Sequence, residues 1–402
     1  MKHIVILGDG MADRPLSEFG GKTVLEAAEK PNMDEMACMG ELGMVQTVLE
    51  GLKPGSDVAN LSVMGYDTRS CYSGRSPLEA ASIGVPLKDT DITFRANLVT
   101  LSDEESYSEK TMLDYSAGEI TTQEARELIL AVEEALHTDF LHFYAGVSYR
   151  HLLVWEGGSK KVSLTPPHDI SDRKITDYLP KGEGAEKLLE LMEKSEKILK
   201  AHPVNQKRIR EGKNPATSIW IWGEGSKPKL ESFEVLYHKK GAVISAVDLI
   251  KGIAICAGMK SIDVPGANGN YDTNYAGKAN AAIEALQNGY DFVYVHLEGP
   301  DECGHQGNAA HKRLAVERID KEIIAPIRKA MEDAKEHYKM LVLPDHPTPV
   351  ALKTHVSDPV PYLIYDSGKR MDTNLSYTEK NAEATGIQIL LGHELMAHFL
   401  ED

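Results

Sequence analysis

Short apolar runs, each closed by a glycine or a carboxylate, set the rhythm of this chain. The run His3-Ile4-Val5-Ile6-Leu7 ends in Gly8-Asp9-Gly10 and predicts a first strand over 3–8. A second strand, over 42–48, ends in Val45-Gln46-Thr47-Val48. Pro54-Gly55-Ser56-Asp57 then breaks the chain before an apolar stretch through Met64 that suits a short helix. From 70 to 225 the texture changes: 94–101, 140–147 and 151–155 read as strands, while 121–136 and 185–201 have helical spacing. After Gly223-Glu224-Gly225 the alternation resumes with a strand at 261–264, a helix at 274–287 and a strand at 291–297. A helix at 309–333 and strands at 339–343 and 361–365 follow.

This order predicts an α/β domain formed by 1–69 plus 226–402, interrupted by a smaller inserted α+β domain at 70–225. Chain ends that lie close together favour such insertions. The runs that carry chemistry fall on both sides of the insertion. Phe292-Val293-Tyr294-Val295-His296-Leu297 leads into Asp301 and His305, and Met340-Leu341-Val342-Leu343 leads into Asp345-His346, with His355 beyond. In a parallel α/β sheet, ligand sites gather at the carboxyl ends of the strands, so these clusters converge in space.

Taken singly, each cluster has an ordinary explanation. Asp9 suits a turn before a helix, and Asp301 and His305, four apart, suit a surface pair on one helical face. Adjacent Asp345 and His346 after an apolar strand are more telling, because they can address two neighbouring cations from one turn. Jointly the case is stronger still. Burying three carboxylates together without cations costs several kcal/mol each. Three Asp and three His are too many for one ordinary zinc site and fit a pair of divalent ions. Two such ions supply about +4 against three carboxylates, leaving roughly +1 to receive a phosphate. Ser56 opens a helix, where it serves either as an N-cap or as a nucleophile beside a cation.

The net charge of −17 excludes non-specific nucleic-acid binding and an anionic membrane surface as defaults. An anionic substrate therefore needs local positive charge. Arg95, Arg150 and Arg208, at strand or helix ends of the middle region, are candidates because the guanidinium fork suits carboxylate and phosphate. Trp220 and Trp222 alternate with Ile219 and Ile221, and core packing is the better reading for at least one of them. The four cysteines lack CxxC spacing, so neither a disulfide framework nor a zinc ribbon is expected. No apolar stretch approaches ~18 residues and no signal pattern opens the chain, making the cytoplasm the expected location.

Asp9, Ser56, Asp301/His305, Asp345/His346 and His355 together resemble the cofactor-independent phosphoglycerate mutases of the archaeal type, within the alkaline phosphatase superfamily. The stretches Gly55-Ser56-Asp57-Val58-Ala59-Asn60-Leu61, Tyr72 to Ala80 and Trp220-Ile221-Trp222-Gly223-Glu224-Gly225 extend the resemblance over essentially the whole chain. It implies a three-layer α/β metalloenzyme core in which Asp301, His305 and His355 hold one ion. Asp9, Asp345 and His346 would hold the other beside Ser56, which serves as nucleophile and ligand. The ions implied are manganese, with magnesium, cobalt or zinc as substitutes, and the Asp/His donor set without thiolate agrees. The implied substrate is phosphoglycerate: Ser56 takes the phosphoryl group from 3-phosphoglycerate and returns it to form 2-phosphoglycerate. The inserted domain is expected to close over the cleft and exclude water. Two departures, Ser76 in place of a glycine and Asn308 where an Asp is frequent, leave open a homoserine kinase-like transferase on the same platform. A phosphatase or phosphodiesterase is a further rival.

Overall fold

The computed structural model describes residues 1–401. Two compact units divide the chain: Met1–Tyr72 joined with the chain from Lys229 onward, and Ser73–Pro228. The crossings lie beyond residues 69 and 225. On the outward side, Tyr72 still belongs to the first unit, its hydroxyl donating to Asp57 Oδ2 at 2.5 Å.

The first unit is built on an eight-stranded sheet. From edge to edge its strands are Lys260–Ile262, Gly241–Ile244, Phe292–Leu297, Lys2–Gly8, Tyr338–Leu343, Val360–Asp366, Glu41–Val45 and Gln388–Ile389. Lys2–Gly8 lies at the centre, parallel to both Phe292–Leu297 and Tyr338–Leu343. Leu7 faces His296 on one side and Leu343 on the other, so the three strands end at one level. That register brings the residues following each strand to the same edge of the sheet. Val360–Asp366 runs antiparallel to both neighbours, so the sheet is mixed. The reason lies in the connection: a parallel return needs a crossover, usually a helix. Residues 344–359 contain none, and that loop carries His346, Thr348 and His355 instead.

One face of the sheet, with Ile4, Ile6, Val295 and Val342, packs on apolar residues of Pro31–Met39, Tyr275–Gln287 and the 309–333 segment. The other face meets Phe233, whose ring lies 4.5 Å from Phe292, and the carboxyl-terminal helix, where Phe399 lies 5.5 Å from His3. The 309–333 helix is not uniform: Ile319–Ile324 is π-helical between Ala309–Arg318 and Ala325–Asp333, with Pro326 just beyond. The bulge directs Asp320 to the amino end of Pro31–Met39, where it accepts from Met33 N at 2.7 Å and caps a helix whose own Lys30 does not.

The inserted unit is an antiparallel sheet centred on Asp91–Leu101, which pairs with Arg150–Glu156, Ser218–Ser226 and Met112–Asp114. Leu141–Tyr144 continues it, shorter than the 140–147 run suggests because Phe140 and Val147 are exposed. Helices Thr122–Leu136 and Ala185–Ala201 bury Leu128, Val132, Leu188 and Met192 against Phe94, Leu98 and Trp220. None of the four cysteines is joined in a disulfide.

Lys312 ties the loops of the first unit together. Its fully buried ammonium donates to Ala12 O at 3.1 Å, Asp13 Oδ2 at 2.7 Å and Thr348 O at 2.8 Å, using all three protons. Lys312→Met leaves Asp13 buried without its counter-charge, and should destabilise the protein by about 3–5 kcal/mol in urea unfolding. Adding Asp13→Leu should restore much of that loss; a single variant of wild-type stability would contradict this role.

Candidate metal centre

Asp9 follows the central strand in a turn that only glycine permits at position 10. Gly10 has φ of 62°, and a Cβ there would lie 2.7 Å from Asp301 Oδ1 and 2.6 Å from Thr348 Oγ1. The turn therefore allows its neighbours to close around Asp9. Helix Gly299–Gln306 carries Asp301 in its first turn and His305 in its last, on one face. Asp345 and His346 follow Tyr338–Leu343.

The seven residues Asp9, Ser56, Asp301, His305, Asp345, His346 and His355 meet in one cluster of the first unit. His346 Nε2 lies 3.3 Å from Ser56 Oγ, 3.4 Å from Asp345 Oδ2 and 3.7 Å from Asp9 Oδ1. His355 Nε2 lies 3.3 Å from Asp301 Oδ1 and 2.9 Å from His305 Nε2, which is itself 3.3 Å from Asp301 Oδ2. Donor atoms of Asp9, Asp345 and His346 all lie within 4.8 Å of one another, as do those of Asp301, His346 and His355. His346 is thus within reach of both groups. Ser56 is the first residue of helix Ser56–Val63, whose N-cap is Gly55, so its side chain is not the cap.

The electrostatics of the cluster suit cations. Burial, then the Asp345 and Asp301 charges, hold the Asp9 carboxyl well above its usual range. Its Oδ1 is buried with no hydrogen-bond partner. Burial also opposes the charge on Asp301, but hydrogen bonds from His305 and His355 outweigh it and hold that carboxyl well below the usual range. The Asp301 hydrogen bond raises His305 to about 9, and Asp301 raises His355 against its burial. Burial lowers His346. An orphaned carboxylate oxygen among imidazole nitrogens fits a divalent ion of hard to borderline character.

Several polar residues that look unremarkable in sequence complete the site. Asp345 Oδ1 accepts from Gly10 N at 3.1 Å and His346 N at 2.8 Å, and its Oδ2 accepts from Asn60 Nδ2 at 2.8 Å. Thr348 donates to Asp301 Oδ1, and Thr47 to the Asp345 carbonyl. His305 Nδ1 donates to Lys353 O at 3.0 Å, so once the ring loses its second proton Nε2 is the lone-pair nitrogen facing the cluster.

Of the arginines, Arg208 is buried and its fork is filled by Glu124 at 2.7 Å, Ala117 O at 2.7 Å and Asn214 O at 3.0 Å, a structural placement. Arg95 is mostly buried, pairs with Glu79 at 3.0 Å and stacks 4.3 Å over Trp222. Burial lowers its pKa, and Arg75 and Arg150 add to this while Glu79 opposes it, so three guanidiniums share one neighbourhood. Arg150 is exposed at the start of its strand. Trp220 is core and donates to Thr165 O at 2.8 Å.

Fold and site together define an α/β protein whose central strand ends carry a carboxylate–imidazole centre with the donor set of a divalent-cation site. The family model for 2,3-bisphosphoglycerate-independent phosphoglycerate mutase matches residues 37–205. A 2,3-bisphosphoglycerate-independent phosphoglycerate mutase of Methanosarcina barkeri is 49% identical over 398 residues, covering 98% of each chain. The solved PH0037 protein from Pyrococcus horikoshii superposes with a TM-score of 0.84 at 30% identity, covering 99% of this chain and 96% of that one. A cofactor-independent phosphoglycerate mutase from Thermoplasma acidophilum gives 0.70 at 26% identity, with 100% of both chains covered. The chain belongs to the 2,3-bisphosphoglycerate-independent phosphoglycerate mutase family. Among the described residues no helix is long and apolar enough to cross a membrane.

The shifts set a pH dependence for the metal-free protein. His305, raised from 6.5 to about 9, stabilises the fold fully below 6.5, and that contribution is lost as pH rises through 9. Raised Asp9 has the same sign: its contribution is present at low pH and is lost as pH rises through its elevated range. Metal ligation instead needs the deprotonated forms. The increase in Tm on adding manganese(II) should therefore grow from pH 6 to pH 9 in calorimetric scans; an increment that shrinks over this window would contradict the assignment.

Proposed function

We propose that this chain interconverts 3-phosphoglycerate and 2-phosphoglycerate through a phosphoserine at Ser56. The single observation that carries this reading is the position of Ser56 Oγ, at a helix amino terminus and 3.3 Å from His346 Nε2 in the carboxylate–imidazole cluster. Asp9, Asp345 and His346 would hold one divalent ion, and Asp301, His305 and His355 the second, with manganese the preferred metal. Such ions lower the pKa of a nearby hydroxyl and neutralise charge on phosphoryl oxygens.

In the first transfer a bond forms from Ser56 Oγ to phosphorus while the bond from phosphorus to O3 of the substrate breaks. The serine proton ends on the departing glycerate oxygen. In the second transfer the O2 hydroxyl of glycerate takes the phosphoryl group, and its proton returns to Ser56. The helix amino terminus favours the dianionic group carried between the two steps. Arg95 and Arg150 of the inserted unit are assigned to holding the substrate anion, on the strength of their guanidinium chemistry. Arg208 is not, because it is buried and each of its three guanidinium nitrogens already donates within the inserted unit.

The two sequence departures have local explanations. Ser76 Oγ lies 2.8 Å from Thr93 Oγ1 and 3.1 Å from its carbonyl, so this serine serves packing in the inserted unit. Asn308 caps helix Ala309–Arg318 by accepting from His311 N at 3.0 Å. Neither favours homoserine as the acceptor.

Ser56→Ala should abolish formation of 2-phosphoglycerate in a manganese-supplemented assay while leaving the fold and metal content near wild type. Acid-quenched wild-type enzyme should yield a phosphopeptide containing Ser56. Mutase activity persisting in Ser56→Ala would remove this serine as the nucleophile. Arg150→Ala should raise KM by roughly tenfold or more, the weight of one charged hydrogen bond, with a smaller effect on kcat. Unchanged KM would return Arg150 to the solvated surface.

A further inference from the structure

We propose that His296 and Ser245 form a positioning relay that decides which oxygen of Asp9 faces the cation site. His296 lies on strand Phe292–Leu297, beside the central strand, and Ser245 directly follows the next strand outward, Gly241–Ile244. Both side chains are buried. An ionised Asp9 Oδ2 can only accept from the His296 ring, so Nδ1 is the acceptor and takes the hydroxyl proton of Ser245 at 3.2 Å, while Ser245 Oγ accepts from Val247 N at 3.0 Å. With Nδ1 accepting, the neutral ring carries its proton on Nε2, and that proton points at Asp9 Oδ2, 2.9 Å away. The relay therefore runs in one direction, from Ser245 through His296 to Asp9.

Its consequence falls on the other oxygen. A free carboxylate presents two equivalent donors, and a metal can take either or both. Tethering Oδ2 breaks that symmetry and leaves Oδ1, which has no hydrogen-bond partner, as the single oxygen offered beside His346 Nε2 at 3.7 Å. Lys278 acts on the backbone of the same residue, donating from Nζ to His296 O at 3.0 Å, and so holds the strand rather than the ring. Partners of this kind behind a ligand commonly change metal affinity by about 10- to 100-fold.

This inference rests on the reading of Asp9 as a metal ligand, and the test separates the two. Manganese(II) alone is titrated into the wild type, His296→Leu, His296→Gln and Ser245→Ala, with heat of binding recorded and free ion counted by its paramagnetic resonance signal. In His296→Leu one site should weaken by about 10- to 100-fold while the other keeps its affinity. In His296→Gln, whose amide nitrogen reaches the same carboxylate oxygen, affinity should return to near the wild-type value, a rescue that a purely structural role for the ring would not give. Ser245→Ala should show a smaller loss at the same site. Wild-type affinity at both sites in His296→Leu, or no rescue by glutamine, overturns the relay and leaves the metal reading standing. Should His296→Leu fail to fold, wild-type affinity in Ser245→Ala overturns it. A wild-type protein that takes up no manganese removes Asp9 as a ligand, and the relay with it.

Discussion

Three buried carboxylates delivered to one point are the constraint on which the rest of this structure depends. Asp9, Asp301 and Asp345 emerge from three adjacent parallel strands that end at one level. Their convergence is a matter of register, not of local flexibility. The sheet core of Ile4, Val5, Ile6, Leu7 and their neighbours is completely buried, so no strand can slip without turning its apolar set to the wrong face. Apolar burial thus holds together charges that would otherwise separate. The Asp9 carboxyl shows the strain, being held well above its usual range by burial and by its two like-charged neighbours.

The surroundings of the cluster give each carboxylate a different partner. Asp301 receives imidazoles and a threonine hydroxyl, Asp345 receives two backbone amides and an asparagine, and Asp9 receives one imidazole on one oxygen. Lys312, a fully buried cation of the first unit, is committed to Asp13 and to two carbonyls. It sets the loops that carry the site without neutralising the site itself. A protein ammonium placed among the three carboxylates would relieve their repulsion permanently. Keeping it one loop away preserves a negative centre that exchangeable divalent ions can fill.

Much of this arrangement is legible in sequence because an Asp or His directly after an apolar run is conspicuous. Asp9, Asp345 and His346 announce themselves in that way, Asp301 and His305 follow their run within one short helix, and the α/β class follows from the alternation around them. Asn60, Tyr294, His296 and Thr348 do not. A polar residue inside an apolar run reads as an ordinary member of a strand or helix, and its partner lies hundreds of positions away, as Asn60 and Asp345 do. The arginines show the converse limit. Arg150 and Arg208 are the same residue type in similarly basic stretches, yet one is exposed and the other is locked by Glu124 and two carbonyls. Only tertiary contacts separate them. The direction of Val360–Asp366 was equally hidden, since strand polarity depends on what the preceding loop must do.

Asn60 connects the scaffold to the chemistry. Its amide donates to the backbone carbonyl of Ser56 at 2.8 Å and to Asp345 Oδ2 at 2.8 Å, and its oxygen accepts from the Tyr294 hydroxyl at 2.6 Å. Every hydrogen-bonding position of that side chain except one lone pair is filled, which fixes the amide in one orientation. The first turn of the helix that opens with Ser56, the proposed nucleophile, is thereby fastened to a candidate metal ligand and to the central sheet. For a serine that must accept a phosphoryl group and then surrender it, the same oxygen has to be well placed twice. A helix free to drift between those steps would lose the alignment that makes the second transfer faster than hydrolysis. The rigid link through Asn60 meets that requirement from within the first unit, by geometry alone.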